Sequence, residues 1–160
     1  MLKRSHKQSS VPILGWHEYG ALPELGVSLI RIKVDTGAKT SSIHAEDLEV
    51  IKKGKNEYVK FTLHEGHRHK IKTISCQAKI VDRRSVSDSG GHQEKRYVIE
   101  TSLILGNQVR TIELTLNNRG TMRFPMLLGR KAMEGFLVNP HKAFQLGKPD
   151  EQLIKKLRKG

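Results

Sequence analysis

The sequence predicts an all-β protein, and three observations carry that reading. Strand-like runs, apolar residues alternating with polar ones in the clearest of them, recur at 27–34, 48–51, 58–63, 70–81, 97–105 and 109–116. Turn-forming stretches divide them: Lys53-Gly54-Lys55-Asn56, Glu65-Gly66 and Gly106-Asn107. Helical spacing is confined to two short pieces, 131–135 and the set Leu153, Ile154 and Leu157.

In chain order, residues 1–10 read as a disordered basic arm. Residues 11–19 have an edge-strand pattern, because Pro12 has no N–H to give a ladder, and Trp16 in it is expected on the core. Pro23 and Gly26 make a turn, after which 27–34 is a buried strand and 35–40 a loop. Ser41, Ser42, Ile43 and His44 start the next strand, with the two hydroxyls available to a ligand or, more commonly, to the turn's own backbone.

Further on, residues 82–96 are polar and end in the tip Ser87-Asp88-Ser89-Gly90-Gly91, which composition allows as a hairpin or as a disordered loop. The runs 97–105 and 109–116 form the clearest hairpin. A polar loop at 117–123 leads into Pro125-Met126-Leu127-Leu128-Gly129-Arg130, followed by short strands at 136–140 and 142–146 and a basic tail from 148 to 160.

Composition narrows the function classes. A chain of 160 residues suits one domain, here 11–147, and 36% hydrophobic with 5% aromatic residues implies a modest aliphatic core. No apolar run approaches the ~20 residues that cross a bilayer, so no membrane partner is expected. Residues 1–10 lack the apolar stretch of a secretion signal, and a cytoplasmic location is the expectation. Cys76 is the one cysteine, which excludes an internal disulfide and a thiolate zinc cage within one subunit; it reads as a small core residue. With 29 Lys and Arg against 16 acidic residues the formal charge is +13, which predicts attraction to polyanions such as nucleic acid, a ribosomal surface or an acidic peptide. Part of that charge sits at 3–7 and 155–159, in tails expected to act as flexible arms.

The chemistry concentrates in Ile32-Lys33-Val34-Asp35-Thr36-Gly37-Ala38. An apolar strand delivers one carboxylate, Asp35, onto a turn whose tightness is expected to need the backbone freedom of Gly37. A neighbouring hydroxyl and free N–H groups can orient such a carboxylate while leaving it open to a ligand.

Asp35-Thr36-Gly37-Ala38 together with Leu127-Leu128-Gly129-Arg130 resembles the paired signature of retropepsin-like aspartic peptidases, in which a homodimer supplies two catalytic aspartates. More narrowly, the stretch from Lys33 to Ser42, Arg119 with Met122, and Phe124 to Arg130 resemble a bacterial and archaeal family labelled ATP-dependent zinc proteases. That family is associated with ATP-grasp, glutamate-ligase-like enzymes that add amino acids to proteins.

The resemblance implies a closed β-barrel with one short helix after Leu127-Leu128-Gly129-Arg130. It implies catalysis by Asp35, Thr36 and Gly37, with Ala38, Gly129 and Arg130 supporting the loop. Lys39 and Thr40, and Ser87, Ser89 and Gly90 of a flap hairpin, are then the substrate-binding candidates. Lys39 stands where many such enzymes carry a second Asp that pairs with the arginine of the Gly-Arg motif, so Arg130 lacks its usual partner and an acidic, glutamate-rich peptide becomes a candidate substrate.

Three functions compete: an aspartic endopeptidase without cofactor, a noncatalytic polyanion- or ribosome-associated module, and a zinc peptidase. For zinc the one histidine-rich stretch is His64-Glu65-Gly66-His67-Arg68-His69, where His67 and His69 would share a strand face and supply half a site. No Gly-rich phosphate loop with its lysine is present, which argues against ATP use by this chain.

Overall fold

Strand β3 (Val27–Val34) sets the architecture: Ile30, Ile32 and Val34 turn inward and are buried, while Lys33 faces out. The computed structural model describes residues 11–158 except 68, 88–89 and 119–122, with the side chains of His67, Val86 and Ser87 also left aside. Around β3 lie β1 (Ile13–Leu14), β2 (His17–Leu22), β4 (Ser41–His44), β9 (Gln93–Leu105), β10 (Gln108–Asn117), β11 (Met126–Leu128) and β12 (Leu137–Val138). Strand β3 and five of these close a barrel in the order β10-β4-β11-β3-β2-β9, with β9 pairing back onto β10. The β11–β3 and β10–β4 pairs are parallel, and the β2–β9 seam rests on one pair, Ala21 with Ile104. The barrel is filled by aliphatic side chains, among them Leu22, Ile32, Ile43, Ile99, Leu103, Leu114, Met126 and Leu128.

Between β4 and β8 (Asp82–Ser87) the chain builds a second sheet from β5 (Glu46–Lys53), β6 (Asn56–His67) and β7 (Lys70–Lys79). Its inner face adds Val59, Phe61, Leu63 and Cys76 to the core. Glu65 fastens it to the barrel by accepting from the N–H groups of Ser28 and Leu29 at 3.1 and 2.9 Å. The turn between β6 and β7 comes later than Glu65-Gly66. Gly66 lies within β6 at φ +121°, where an added Cβ would stand 2.0 Å from the Lys70 carbonyl oxygen, so it serves close backbone approach and not a hairpin tip.

Strand β8 pairs antiparallel with β9, so of the two readings of 82–96 the hairpin is the one observed. Its tip residues Asp88 and Ser89 lie outside the described residues, as do Arg119 and Met122 and the arm at 1–10. The short helix after Gly129 is a 3₁₀ turn, Arg130–Met133. The α-helix of the chain, α1 (Glu151–Leu157), is instead in the basic tail: Asp150 caps it by accepting from Gln152 and Leu153 N–H, and Ile154 packs on Ala21 and Ile104. Over 151–157 the tail is therefore a docked helix and not an arm.

The strand expected at 142–146 is irregular backbone. Glu18, fully buried, accepts from the N–H groups of Gly15, Gln145 and Leu146 and takes the place of a ladder. Among the described residues no helix is long and apolar enough to cross a membrane.

Candidate functional site

The loop bearing Asp35 is held from below by β11 and the turn after it. Asp35 N–H donates to Leu128 O at 2.9 Å, continuing the parallel β3–β11 register to the last residue of the strand. Two residues on, Gly37 N–H donates to Asp35 Oδ1 at 2.9 Å, and Ala38 N–H to Asp35 O at 3.2 Å. One carboxylate oxygen is thus fixed by the backbone, while Oδ2 has no hydrogen-bond partner among the described residues. Asp35 is half-buried and Thr36 and Gly37 are exposed, so that oxygen is open to a ligand. The orienting donor is the Gly37 N–H, and the Thr36 hydroxyl makes no such bond.

Gly37 itself does not adopt a left-handed conformation. What restricts position 37 is space, since a Cβ there would sit 3.2 Å from Asp35 Oδ1. The tighter constraint is at Gly129, where a Cβ would meet the Thr40 carbonyl carbon at 2.4 Å. Here two chain segments touch backbone to backbone. Gly129 N–H donates to Ser41 Oγ at 3.0 Å, so the buried hydroxyl of Ser41 serves the backbone.

Arg130 has a partner after all: its Nη1 donates to Thr36 O at 2.9 Å, and its N–H donates to Ala38 O at 2.8 Å. A backbone carbonyl thus takes the place of the second Asp. Lys131 N–H continues the contact to Lys39 O at 3.0 Å. Lys39 is exposed, and Thr40 is half-buried against Gly129 and lines a cleft of about 230 Å3 with Glu100, Thr111, Glu113 and Lys131. The structure therefore brings together Asp35, Thr36, Gly37, Ala38, Thr40, Gly129 and Arg130. Gly90 lies in a turn before β9, the side chain of Ser87 is not described, and Ser89 lies outside the described residues.

Of the histidine pair expected at 67 and 69, the side chain of His67 is not described, and His69 lies in the turn after β6. His64 turns instead to Glu46, which lies between His64 Nε2 at 3.2 Å and His44 Nε2 at 2.7 Å. These hydrogen bonds, His44 first, hold the Glu46 carboxyl below the usual carboxylate range. Among the described residues no three His, Cys, Asp or Glu side chains group as a metal site.

The family model described as RimB-like, retropepsin-like aspartic endopeptidase RimB, matches residues 13–149. Relatives named "Probable alpha-L-glutamate ligase" include one from Shewanella pealeana, 42% identical over 146 residues, and one from Desulfotalea psychrophila, 39% identical over 145 residues. The matches cover 91% and 90% of this chain but only 32% and 31% of those relatives, so the chain spans about a third of their length. The crystal structure of Lpg0085 from Legionella pneumophila, a protein of unknown function (DUF785), superposes with a TM-score of 0.70 at 30% identity. That match covers 86% of this chain and 99% of the other. A closed barrel, an Asp-Thr-Gly loop and a Leu-Leu-Gly-Arg segment beneath it thus coincide with a family match across nearly the whole domain, and the chain belongs to the RimB-like family of retropepsin-like aspartic endopeptidases.

Proposed function

We propose that this protein hydrolyses peptide or amide bonds with a water activated by two Asp35 side chains, one from each of two copies. The observation that carries this is the carboxylate of Asp35: one oxygen held by Gly37 N–H, the other open, at the end of a barrel strand, in a chain of this family. One Asp per chain makes half of such a site, hence the homodimer.

Two carboxylates a few ångströms apart do not both ionise readily, so the pair shares one proton. The charged carboxylate takes a proton from water, the neutral one donates a hydrogen bond to the scissile carbonyl, and the water oxygen attacks the carbonyl carbon. The C–N bond then breaks as the nitrogen is protonated. Arg130 touches no substrate in this scheme; it holds the Thr36 carbonyl and so the loop.

The substrate class we propose is an acidic, glutamate-rich peptide. Its support is the exposed cations Lys33 and Lys39 on and beside the loop, together with relatives named as glutamate ligases. On this reading the protein acts in the cytoplasm, where its lone thiol stays reduced. The +13 charge favours a second reading, a noncatalytic module that binds nucleic acid or a ribosomal surface.

Cleavage of a mixed peptide library that includes glutamate-rich C-termini separates these. Hydrolysis that persists in EDTA and disappears in Asp35→Asn supports the first. Absence of cleavage by wild type, with salt-sensitive RNA binding indifferent to Asp35→Asn, supports the second.

A further inference from the structure

Outside the Asp35 loop, one cluster of charged side chains joins elements that are distant in sequence. Glu113, on β10, receives two cations on the same oxygen: Arg84 Nη2 at 3.1 Å and Lys131 Nζ at 3.2 Å to Oε1. Arg84 belongs to β8, the edge strand of the flap hairpin, and is braced by Asp82 Oδ2 at 2.9 Å from its Nε. Lys131 follows Arg130 directly, and its own N–H holds Lys39 O in the Asp35 loop.

We propose that Glu113 is a positioning residue, coupling strand β8 at the base of the hairpin to the loop that carries Asp35 so that these two segments shift together. The inference rests on the reading of that loop as the reactive site and of the β8–β9 hairpin as its cover.

Three features favour coupling over simple stabilisation. The side chains of Arg84, Glu113 and Lys131 are 36%, 29% and 53% exposed, and ion pairs so placed add little to global stability. Their value lies in what they connect, since an edge strand has ladder bonds on one side only. The cleft beside Glu113, between Thr40, Thr111 and Lys131, also leaves room for the Glu113 and Lys131 side chains to shift. Finally, the hydrogen bonds from Arg84 and then Lys131 hold the Glu113 carboxyl below the usual carboxylate range, which favours the charged form that both cations grip.

The test is amide hydrogen exchange on full-length wild type, Glu113→Gln, Arg84→Gln and Lys131→Gln, with kinetics on the best peptide from the library. Glu113→Gln is expected to speed exchange at least about threefold both in 82–87 and at 36–39, with thermal midpoints little changed. The decisive arms are the crossed ones. Arg84→Gln, which touches only the flap side, should speed exchange at 36–39, and Lys131→Gln should speed it at 82–87. Peptide KM should rise in all three variants more than kcat falls.

Effects that stay on the side of the substituted residue, or no change at either segment, overturn the proposal. If wild type cuts no peptide, the hydrolase reading fails, while the exchange arms still decide whether the two segments are coupled. Should Glu113→Gln fail to fold, Arg84→Gln and Lys131→Gln decide alone.

Discussion

Gly129 carries more of the site than its lack of a side chain suggests. The space a Cβ would need is filled by the Thr40 backbone, so Gly129→Ala must push apart the two segments that hold the Asp35 loop. Overpacking of this kind costs about 1–3 kcal/mol, read as a lower urea midpoint, and activity should fall further than stability because the loop is what moves. Cys76 gives a second residue-scale prediction. Burial raises its thiol to about 11 from an ordinary 9.0, so the folded state holds its proton where the unfolded chain releases it. Stability from this group is intact below pH 9.0 and is lost as pH rises from there to about 11. A thiol reagent at pH 8 should react slowly until the protein is denatured.

At this scale the sequence was legible where the chemistry is local. Asp35-Thr36-Gly37 and Leu127-Leu128-Gly129-Arg130 are contiguous, and Ser41 was already expected to serve a backbone. The partners of Arg130 and Glu113 were not legible, because they depend on which loops the barrel's register brings together. Gly37 was assigned to dihedral freedom when the constraint is proximity to a carboxylate.

Elements followed from alternation, but their partners did not. The runs 48–51, 58–63 and 70–81 read as strands and fall in the longer β5 and β6 and, as far as 79, in β7, yet period-two patterning does not say that they form a sheet of their own outside the barrel. Likewise the spacing of Leu153, Ile154 and Leu157 marked a helix, while only the structure shows Ile154 seated on Ala21 and Ile104. The segment at 142–146 misled for a different reason: Glu18 supplies from a side chain the acceptors a neighbouring strand would supply. Removing that carboxylate leaves the N–H of buried Gly15, and the N–H groups of Gln145 and Leu146, without their acceptor. Glu18→Ala should destabilise the fold by about 3 kcal/mol, measured by chemical denaturation, and should speed exchange at 142–146 more than in the barrel strands.

For the whole molecule, the pairing of two short motifs across the chain identified the barrel, since both are needed to build one loop. The formal charge of +13 favours contact with polyanions of any kind, and the family match shows the retropepsin-like family without naming a substrate. The central claim is that one chain holds half a site. It is tested most directly by refolding wild type with Asp35→Asn at defined ratios and measuring peptide cleavage. If the reaction needs Asp35 from both copies, an equal mixture retains about a quarter of the wild-type rate. A mixture that retains about half, in proportion to the wild-type chains present, would contradict the shared dyad.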